Sequence, residues 1–304
     1  MDGPEPNSPV IDFRALGTAQ LTGPEGNPLL SVLKRPKLLA LLTYLAANAR
    51  GGFVRRDTLI GLFWAEFELD RARNALRQSL HHLRRSLGED VLLGRGDDEV
   101  GLAPDRFGFD VAAFEEAHAA GRYEEALGHY GGELLEGFFV ADAPEFERWL
   151  DGRRAELRRE ATSAAWSLAE EAESAPDSSA ARVWAQRALE LAPLDEDLAR
   201  RVIALFDRQG DRAGAVQVYE AFADRLSAEL ELEPAPETRS LIASVRARTM
   251  PNGRSMSHAS MEDVPCVGAR DSAATGRLEV RRWGFRLGLI AGAAIVLGIV
   301  VIGS

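Results

Sequence analysis

The chain has little of what most metal-binding and catalytic proteins need: of its 304 residues, one is cysteine and five are histidine. A single cysteine cannot form an intramolecular disulfide, and these few residues fit no structural zinc spacing. Neither a GxxxxGK[ST] phosphate loop nor a GxSxG nucleophile motif occurs, so the clearest signs of an ATPase or a hydrolase are absent. We therefore predict a protein that is not an enzyme, with no metal site and no cofactor.

Apolar and charged residues are abundant and unevenly placed. Hydrophobic residues make up 46% of the chain, which is enough for more than one folded domain. The net charge of −11 opposes non-specific binding to nucleic acid unless the basic residues are gathered in one place. They are gathered, because residues 31–110 carry a net charge of +2 whereas residues 111–248 carry −12.

The basic segment has the pattern of a winged helix-turn-helix over residues 11–107. Short apolar runs separated by turns predict a small antiparallel sheet, and Pro36 is suited to the first position of a helix. In chain order we predict strands at 10–16, 19–21 and 29–33, helices from 36, at 57–64 and at 71–88, and a hairpin joining 91–93 to 100–102. A sheet, three helices and a terminal hairpin follow one another in this order in a winged helix.

The third predicted helix, residues 71–88, has one apolar side. Leucines at 76, 80, 83 and 87 recur every three or four residues and form a stripe. At about 100° per residue, the opposite side carries the side chains that we predict to read DNA bases: Arg71, Asn74, Gln78, His81 and Arg85. The flanking Arg77 and Arg84 are placed to reach phosphates. The alternative is an ordinary amphipathic surface helix whose arginines are solvated.

The hairpin that follows this helix carries Arg95 near its tip. We predict that this hairpin is the wing and that Arg95 contacts a DNA groove. Asp97 and Asp98 stand beside it in the sequence, so the alternative is a solvated arginine.

Residues 110–248 read as consecutive helices with short breaks at glycine and proline. The set Gly121, Ala126 and Tyr130 recurs 89 positions later with the same residue types, a spacing typical of tetratricopeptide-like helical hairpins. No strict 34-residue period is present, so we predict a degenerate all-α array with a concave surface for a partner. The aromatic residues of this segment are assigned to its core: Trp149, Trp166, Trp184, Phe206 and Tyr219.

A long uncharged stretch occupies residues 287–304. As a helix its residues reach roughly 27 Å, close to the ~30 Å hydrocarbon core of a bilayer. Trp283 and three nearby arginines precede it, which predicts one transmembrane helix at 287–302 with the N-terminal domains in the cytoplasm. The alternative is a buried core helix. We thus expect a single-pass protein of the cell inner (cytoplasmic) membrane.

The segments around the folded part and the predicted anchor are simpler in composition. Residues 1–10 lack the features of a secretory signal and are expected to be disordered, and residues 249–280 read as a flexible linker. Gly284, Gly288 and Gly292 form small-xxx-small pairs that allow two anchors to pack together, so a homodimer is possible.

Several ordered motifs span residues 11–248. They include LLALLTYLA, RDTLIGLFW and RARNALRQSLHHLRRSLG, followed by GELLEGFF, FERWLDGRRAEL and LAPLDEDLARRVIALFDRQGDRAGAVQVYEAF. Together they resemble the SARP family of bacterial transcriptional activators, in which a winged helix precedes a bacterial transcriptional activation domain.

The resemblance implies roles for further residues. It assigns residues 110–248 to the activation domain, which helps to recruit RNA polymerase. It also implies that Lys34, Arg35 and Lys37 lie near phosphates at the first helix, and that Arg55 and Arg56 do so at the second. Arg55 stands where the family usually has a small helix-capping residue.

Two functions follow from these patterns. The first is a membrane-tethered, sequence-specific DNA-binding regulator of transcription, and the family resemblance implies an activator. Its expected partners are double-stranded DNA, RNA polymerase and the membrane. The second is a membrane-bound helical-repeat adaptor that does not bind DNA. A steep salt dependence of DNA affinity distinguishes the two, since only phosphate contacts release counterions.

Overall fold

Two small sheets and a run of helices form the part of the chain that the computed structural model describes, residues 11–48, 52–175 and 178–249. The strands are β1 (Ile11–Arg14), β2 (Gln20–Thr22), β3 (Val54–Arg55), β4 (Leu92–Arg95), β5 (Glu99–Leu102) and β6 (Phe107–Phe109). The helices are α1 (Leu30–Leu33), α2 (Pro36–Ala47), α3 (Arg56–Phe63), α4 (Leu69–Leu87), α5 (Asp110–Ala119), α6 (Tyr123–His129), α7 (Pro144–Glu173), α8 (Ser179–Leu191), α9 (Glu196–Arg208), α10 (Arg212–Leu230) and α11 (Pro236–Thr249).

The first sheet has β1 at its centre. β1 pairs antiparallel with β2 and parallel with β6, which returns from the far end of the basic segment. The strand predicted at 29–33 was wrong, because these residues form the single turn α1 instead. Leu29, Val32 and Leu33 stand three and four positions apart, a spacing that buries them on one side of a helical turn.

Three helices follow as the sequence predicts. α2 begins at Pro36, and α3 has Asp57 in its first turn, where a carboxylate meets the positive end of the helix dipole. α4 buries the predicted leucine stripe.

The second sheet contains the predicted hairpin and one strand that the sequence did not reveal. β5 lies between β4 and the two-residue strand β3, and Gly96, at φ +60°, forms the tip of the β4–β5 hairpin. A side chain at Gly101 would lie 2.9 Å from the Gly52 carbonyl oxygen, so glycine permits the close approach of the chain before β3. β3 thus attaches the hairpin to the start of α3.

Helices α5 to α11 form the array, residues 110–249. Gly121 and Gly210 follow α5 and α9 with φ +72° and +78°, the left-handed conformation in which glycine ends a helix without strain. Ala126 and Ala215, the small residues of the recurring motif, are both fully buried. The motif therefore marks turns and close helix packing, as its spacing predicts.

An aromatic cluster joins the winged-helix part to the array. The ring of Phe146 on α7 lies 5.0 Å from that of Phe63 on α3 and 5.4 Å from that of Trp149, which lies 4.8 Å from Tyr44 on α2. Phe63 and Phe146 are fully buried, and one hydrophobic core continues from the first sheet into α7. The two parts therefore share a core and are not connected by a free linker.

A second seam joins the first sheet to the start of the array. One Asp110 carboxylate oxygen accepts hydrogen bonds from the backbone N–H groups of Ala15 (2.8 Å) and Leu16 (2.9 Å), and the other accepts one from Val111 (2.8 Å). Burial raises the pKa of Asp110, although the three N–H donors act in the opposite direction.

No helix of the described ranges is long and apolar enough to cross a membrane. Residues 1–10, the predicted transmembrane helix 287–302 and all but the first residue of the predicted linker 249–280 lie outside those ranges.

Candidate nucleic-acid interface

α4 turns one side to the core and the other to solvent. Its buried residues are Ala72, Leu76, Leu80, Leu83 and Leu87. All five side chains predicted to read bases are exposed, and we call this set the reading face: Arg71, Asn74, Gln78, His81 and Arg85. The helix has 19 residues, and its diameter of about 10–12 Å matches the ~12 Å width of the major groove.

Two contacts hold side chains of this helix in position. The guanidinium of Arg71 lies 4.3 Å from the ring centroid of Phe67, a cation–π contact that limits its rotation. Arg77 donates a hydrogen bond from Nη1 to Oδ1 of Asn74 at 3.0 Å, which leaves the amide N–H groups of Asn74 able to donate. Arg77 and Asn74 are therefore coupled.

The predicted phosphate contacts fall into two groups by exposure. Lys34 and Arg35 before α2, Arg55 in β3 and Arg77 on α4 are exposed. Arg56 and Arg84 are half-buried. None of these six side chains forms an ion pair with a carboxylate of the described residues: Lys34, Arg35, Arg55, Arg56, Arg77 and Arg84.

The half-buried arginines link α3 and α4 to the hairpin. The backbone N–H of Arg56 donates to the Asp98 carbonyl oxygen at 2.8 Å, and its buried side-chain Nε has no hydrogen-bond acceptor among the described residues. The Arg84 guanidinium lies against Gly94, where an added side chain would approach it to 3.8 Å. The wing is thus packed beside the reading helix.

Lys37 differs from the other predicted phosphate contacts. Its Nζ lies 2.6 Å from Oδ2 of Asp142, in the segment before α7, and 5.5 Å from the Trp64 ring. Its side chain is only 23% exposed. The structure places Lys37 at the junction of the winged-helix part and the array.

Arg95 of the wing also has a partner. It forms an ion pair with Glu99 across the hairpin, and its guanidinium lies 4.7 Å from the Phe53 ring centroid. The hydrogen bond between Arg95 and Glu99 lowers the pKa of Glu99 and raises the pKa of Arg95. Arg95 remains 63% exposed, so the side chain is oriented but accessible.

A cavity of about 350 Å³ lies between α3, α4 and the tip of the hairpin. Its walls combine cations with carboxylates: Arg56, Arg73 and Arg77 with Asp57, Asp97 and Asp98. The aspartates repel a phosphate, so this cavity is less favourable for a phosphate than the exposed cations that have no carboxylate beside them.

The helical part of the chain is similar to a known family. Residues 109–246 match the bacterial transcriptional activator domain. The region predicted from the resemblance, 110–248, is nearly the same. No curated protein matches the chain.

The fold is also similar to a solved structure, Mycobacterium tuberculosis EmbR in complex with a low-affinity phosphopeptide. The TM-score is 0.54 at 23% sequence identity, and the alignment covers 80% of this chain. It covers 66% of the EmbR chain, so this protein spans slightly less than two thirds of that structure. At this identity the similarity concerns the fold, a small N-terminal sheet followed by helices.

The activator-domain match and the reading face occupy different parts of the chain. The matched region, residues 109–246, includes Asp142, Phe146 and Trp149, which contact the winged-helix part. Every predicted DNA contact precedes residue 109. Among the described residues, no group of three or more His, Cys, Asp or Glu side chains is arranged to hold a metal ion.

Three residues at this surface were missed by sequence reasoning. Phe67 and Phe53 pack against Arg71 and Arg95, and Asp142 pairs with Lys37. Phe67 stands four positions before Arg71, a spacing that brings side chains together at a helix start and was therefore a usable signal. Asp142 lies 105 residues from Lys37, and no local pattern indicates that contact.

Proposed function

We propose that this protein is a sequence-specific DNA-binding regulator of the SARP type that activates transcription. The reading face carries the proposal, because Arg, Asn, Gln and His side chains are exposed along one side of a helix whose other side is buried. In the major groove, arginine pairs bidentately with guanine, and asparagine or glutamine with adenine. A helix of this kind beside a hairpin is how winged helices dock on DNA.

The unpaired cations around the reading face are the proposed phosphate contacts. Lys34, Arg35, Arg77 and Arg84 have no carboxylate partner among the described residues to give up when they meet a phosphate. Arg55 forms no ion pair either, although it lies across the sheet from Glu99 and is attracted by that carboxylate. Such contacts fix the orientation of the protein on the duplex, and base contacts supply the specificity.

Three other predicted DNA contacts are already held by the protein: Arg56, Lys37 and Arg95. Each would have to change its present surroundings before it could bind DNA. The Nε of Arg56 is buried, so a phosphate cannot reach this atom unless its surroundings shift. Lys37 must leave Asp142, and Arg95 must leave Glu99. We rank these three below the unpaired set.

The array is the proposed surface for the transcription machinery. The match of residues 109–246 to the bacterial transcriptional activator domain supports this assignment, and RNA polymerase is the partner that the family resemblance implies. Because the array shares a core with the winged-helix part, DNA binding would fix the direction in which the array faces.

The sequence further supports a tether to the cytoplasmic face of the inner membrane through residues 287–302. Three arginines and Trp283 precede this uncharged stretch, as expected for a cytoplasmic flank. Fractionation tests the proposal: the full chain should sediment with membranes and resist extraction by carbonate, whereas residues 1–253 should stay in the supernatant. If the full chain stays in the supernatant, the tether is excluded. A homodimer formed by packing of two anchors is then excluded as well.

Sequence specificity is tested with residues 1–253, whose described residues form one compact unit. Binding sites selected from random duplexes should be measured with the variants Asn74→Ala and Gln78→Ala. Each should lose ~1–3 kcal/mol of discrimination at individual base pairs, whereas Arg77→Ala should weaken binding to all sequences more evenly. Gln217→Ala, an exposed glutamine of α10, is the matched control.

Two outcomes would contradict the proposal. If Asn74→Ala and Gln78→Ala leave the preferred sequence unchanged, α4 does not read bases. If the unaltered fragment has no DNA affinity even at low salt, the chain is better described as the helical-repeat adaptor.

A further inference from the structure

A groove of about 630 Å³ lies in the array, between α7 and the start of α9. Its lining residues all fall between 155 and 201, so it is separate from the reading face. The volume lies within the ~300–1,000 Å³ of typical small-molecule sites. Its walls are partly apolar, with the Trp166 ring, Leu198 and Ala192, and partly polar.

Arg159 in this groove is exceptional among the arginines of the array. Between residues 111 and 248, every other arginine forms an ion pair with a carboxylate: Arg122, Arg148, Arg153, Arg154, Arg158, Arg182, Arg187, Arg200, Arg201, Arg208, Arg212, Arg225, Arg239, Arg246 and Arg248. Arg159 has no such partner among the described residues, although the segment carries a net charge of −12. The groove therefore holds an uncompensated cation in acidic surroundings.

Hydrogen-bond donors continue from Arg159 along the same side of α7. Ser163 and Ser167 follow at intervals of four residues, and their hydroxyls have no hydrogen-bond partner among the described residues. Trp166 is only 7% exposed, and its indole N–H likewise has no acceptor in the described part of the chain. A buried donor without an acceptor is costly, which applies to the Trp166 indole, whereas Ser163 is exposed and Ser167 half-buried. The three donors together favour a ligand that brings acceptor atoms.

The carboxylates of the groove already have partners. Oδ1 of Asp195 accepts a hydrogen bond from the Leu198 N–H at 3.0 Å and caps α9, and Asp197 pairs with Arg200. Glu170 lies 3.4 Å from Arg201, whose guanidinium stacks 4.1 Å from the Trp166 ring. Asp195 is the one lining carboxylate without a cation partner, and it caps the positive end of α9. Arg159 is the one lining cation without a carboxylate among the described residues.

We propose that this groove binds a small organic anion, a carboxylate or a phosphate ester with an apolar body. Arg159 binds the anionic group, and Ser163 and Ser167 donate hydrogen bonds to it. The apolar body packs against Trp166 and Leu198. The site is independent of DNA binding, so its failure would leave the proposed function untouched.

Binding should be measured by calorimetry on the full chain in non-ionic detergent, with hexanoate, benzoate and phenyl phosphate as probes. At least one should bind saturably, and Arg159→Gln should weaken it tenfold or more, because a charge-assisted hydrogen bond is lost. Arg187→Gln, which removes an arginine paired with Glu190 outside the groove, is the matched control and should not change the affinity. A fluorescence change on binding should disappear in Trp166→Phe.

Each other outcome overturns the proposal. No saturable binding of the three probes, or equal affinity in Arg159→Gln, excludes the site. Inorganic phosphate binding as tightly as phenyl phosphate would indicate an adventitious ion only. An acidic hexapeptide that binds through Arg159 when the three small anions do not would make the groove a protein-docking site instead.

Discussion

The basic side chains of the winged-helix part and of the array differ in whether a carboxylate holds them. In the array, fifteen of sixteen arginines form ion pairs among the described residues, with Arg159 as the exception. Between residues 31 and 110, eight of the twelve described basic side chains form none: Lys34, Arg35, Arg55, Arg56, Arg71, Arg77, Arg84 and Arg85.

This difference distinguishes the proposed DNA-binding surface from the array more clearly than net charge does. Residues 31–110 carry a net charge of only +2, because their acidic residues nearly balance the basic ones. Several of these acids are paired with other cations, as Asp70 is with Arg73 and Asp90 with Arg106. Asp97 and Asp98 line the cavity beside Arg77 but form no ion pair with it, so most cations of α4 keep no carboxylate partner. Clustered like charges repel and lower stability, and they are compensated when a polyanion binds.

The largest expected effect is on the free energy of unfolding, and it comes from weakening the core that the winged-helix part shares with the array. Phe146→Ala removes a fully buried ring between α3 and α7, so we expect a loss of about 3–5 kcal/mol in the free energy of unfolding. Urea unfolding of residues 1–253 measures it. Phe139→Ala, at a phenylalanine 67% exposed in the preceding segment, is the control and should cost about 0.5 kcal/mol or less.

Equal losses in these two variants would show that the junction is not a shared core. A second transition in Phe146→Ala would show that the two regions then unfold separately.

The next effect tests the charge comparison directly. Reversing two unpaired cations, Arg77→Glu with Arg85→Glu, should lower DNA affinity by about 100-fold or more, because each removes an attraction to phosphate or base and adds a repulsion. Reversing two paired arginines of the array, Arg187→Glu with Arg225→Glu, changes the net charge equally and should lower affinity by about threefold or less. Mobility-shift titrations at one salt concentration measure both.

A similar loss in both double variants would mean that total charge, and not the surface around α4, governs DNA affinity.

Local patterns predicted much of the fold and of the candidate site. The leucine spacing of α4 fixed which side is buried, and so placed all five residues of the reading face correctly on the exposed side. Pro36, Gly121 and Gly210 marked helix ends because their backbone preferences are local.

What the sequence did not predict depends on contacts between distant residues. The partner of β1 on its second side is β6, where Ile11 pairs with Phe107, 96 residues away, and Lys37 is held by Asp142. The same holds for Arg159, whose lack of a partner is evident only when the carboxylates around it have been placed. Periodicity reports which face of an element is buried but not what packs against it.

The smallest effect concerns stability, where paired and unpaired arginines should again differ. Arg208 donates from Nε and Nη2 to the two oxygens of Glu173 at 2.9 and 2.8 Å, and this hydrogen bonding lowers the pKa of Glu173 below its unfolded value. Such a carboxylate stabilises the fold above its unfolded pKa, and the contribution is lost as the pH falls through the folded pKa. Arg208→Ala should therefore cost about 0.5–1 kcal/mol at pH 7 and progressively less below about pH 4.3, whereas Arg85→Ala should cost close to nothing at either pH. Urea unfolding of residues 1–253 across this range gives both values, and a cost for Arg85→Ala equal to that for Arg208→Ala would remove the distinction between the two regions.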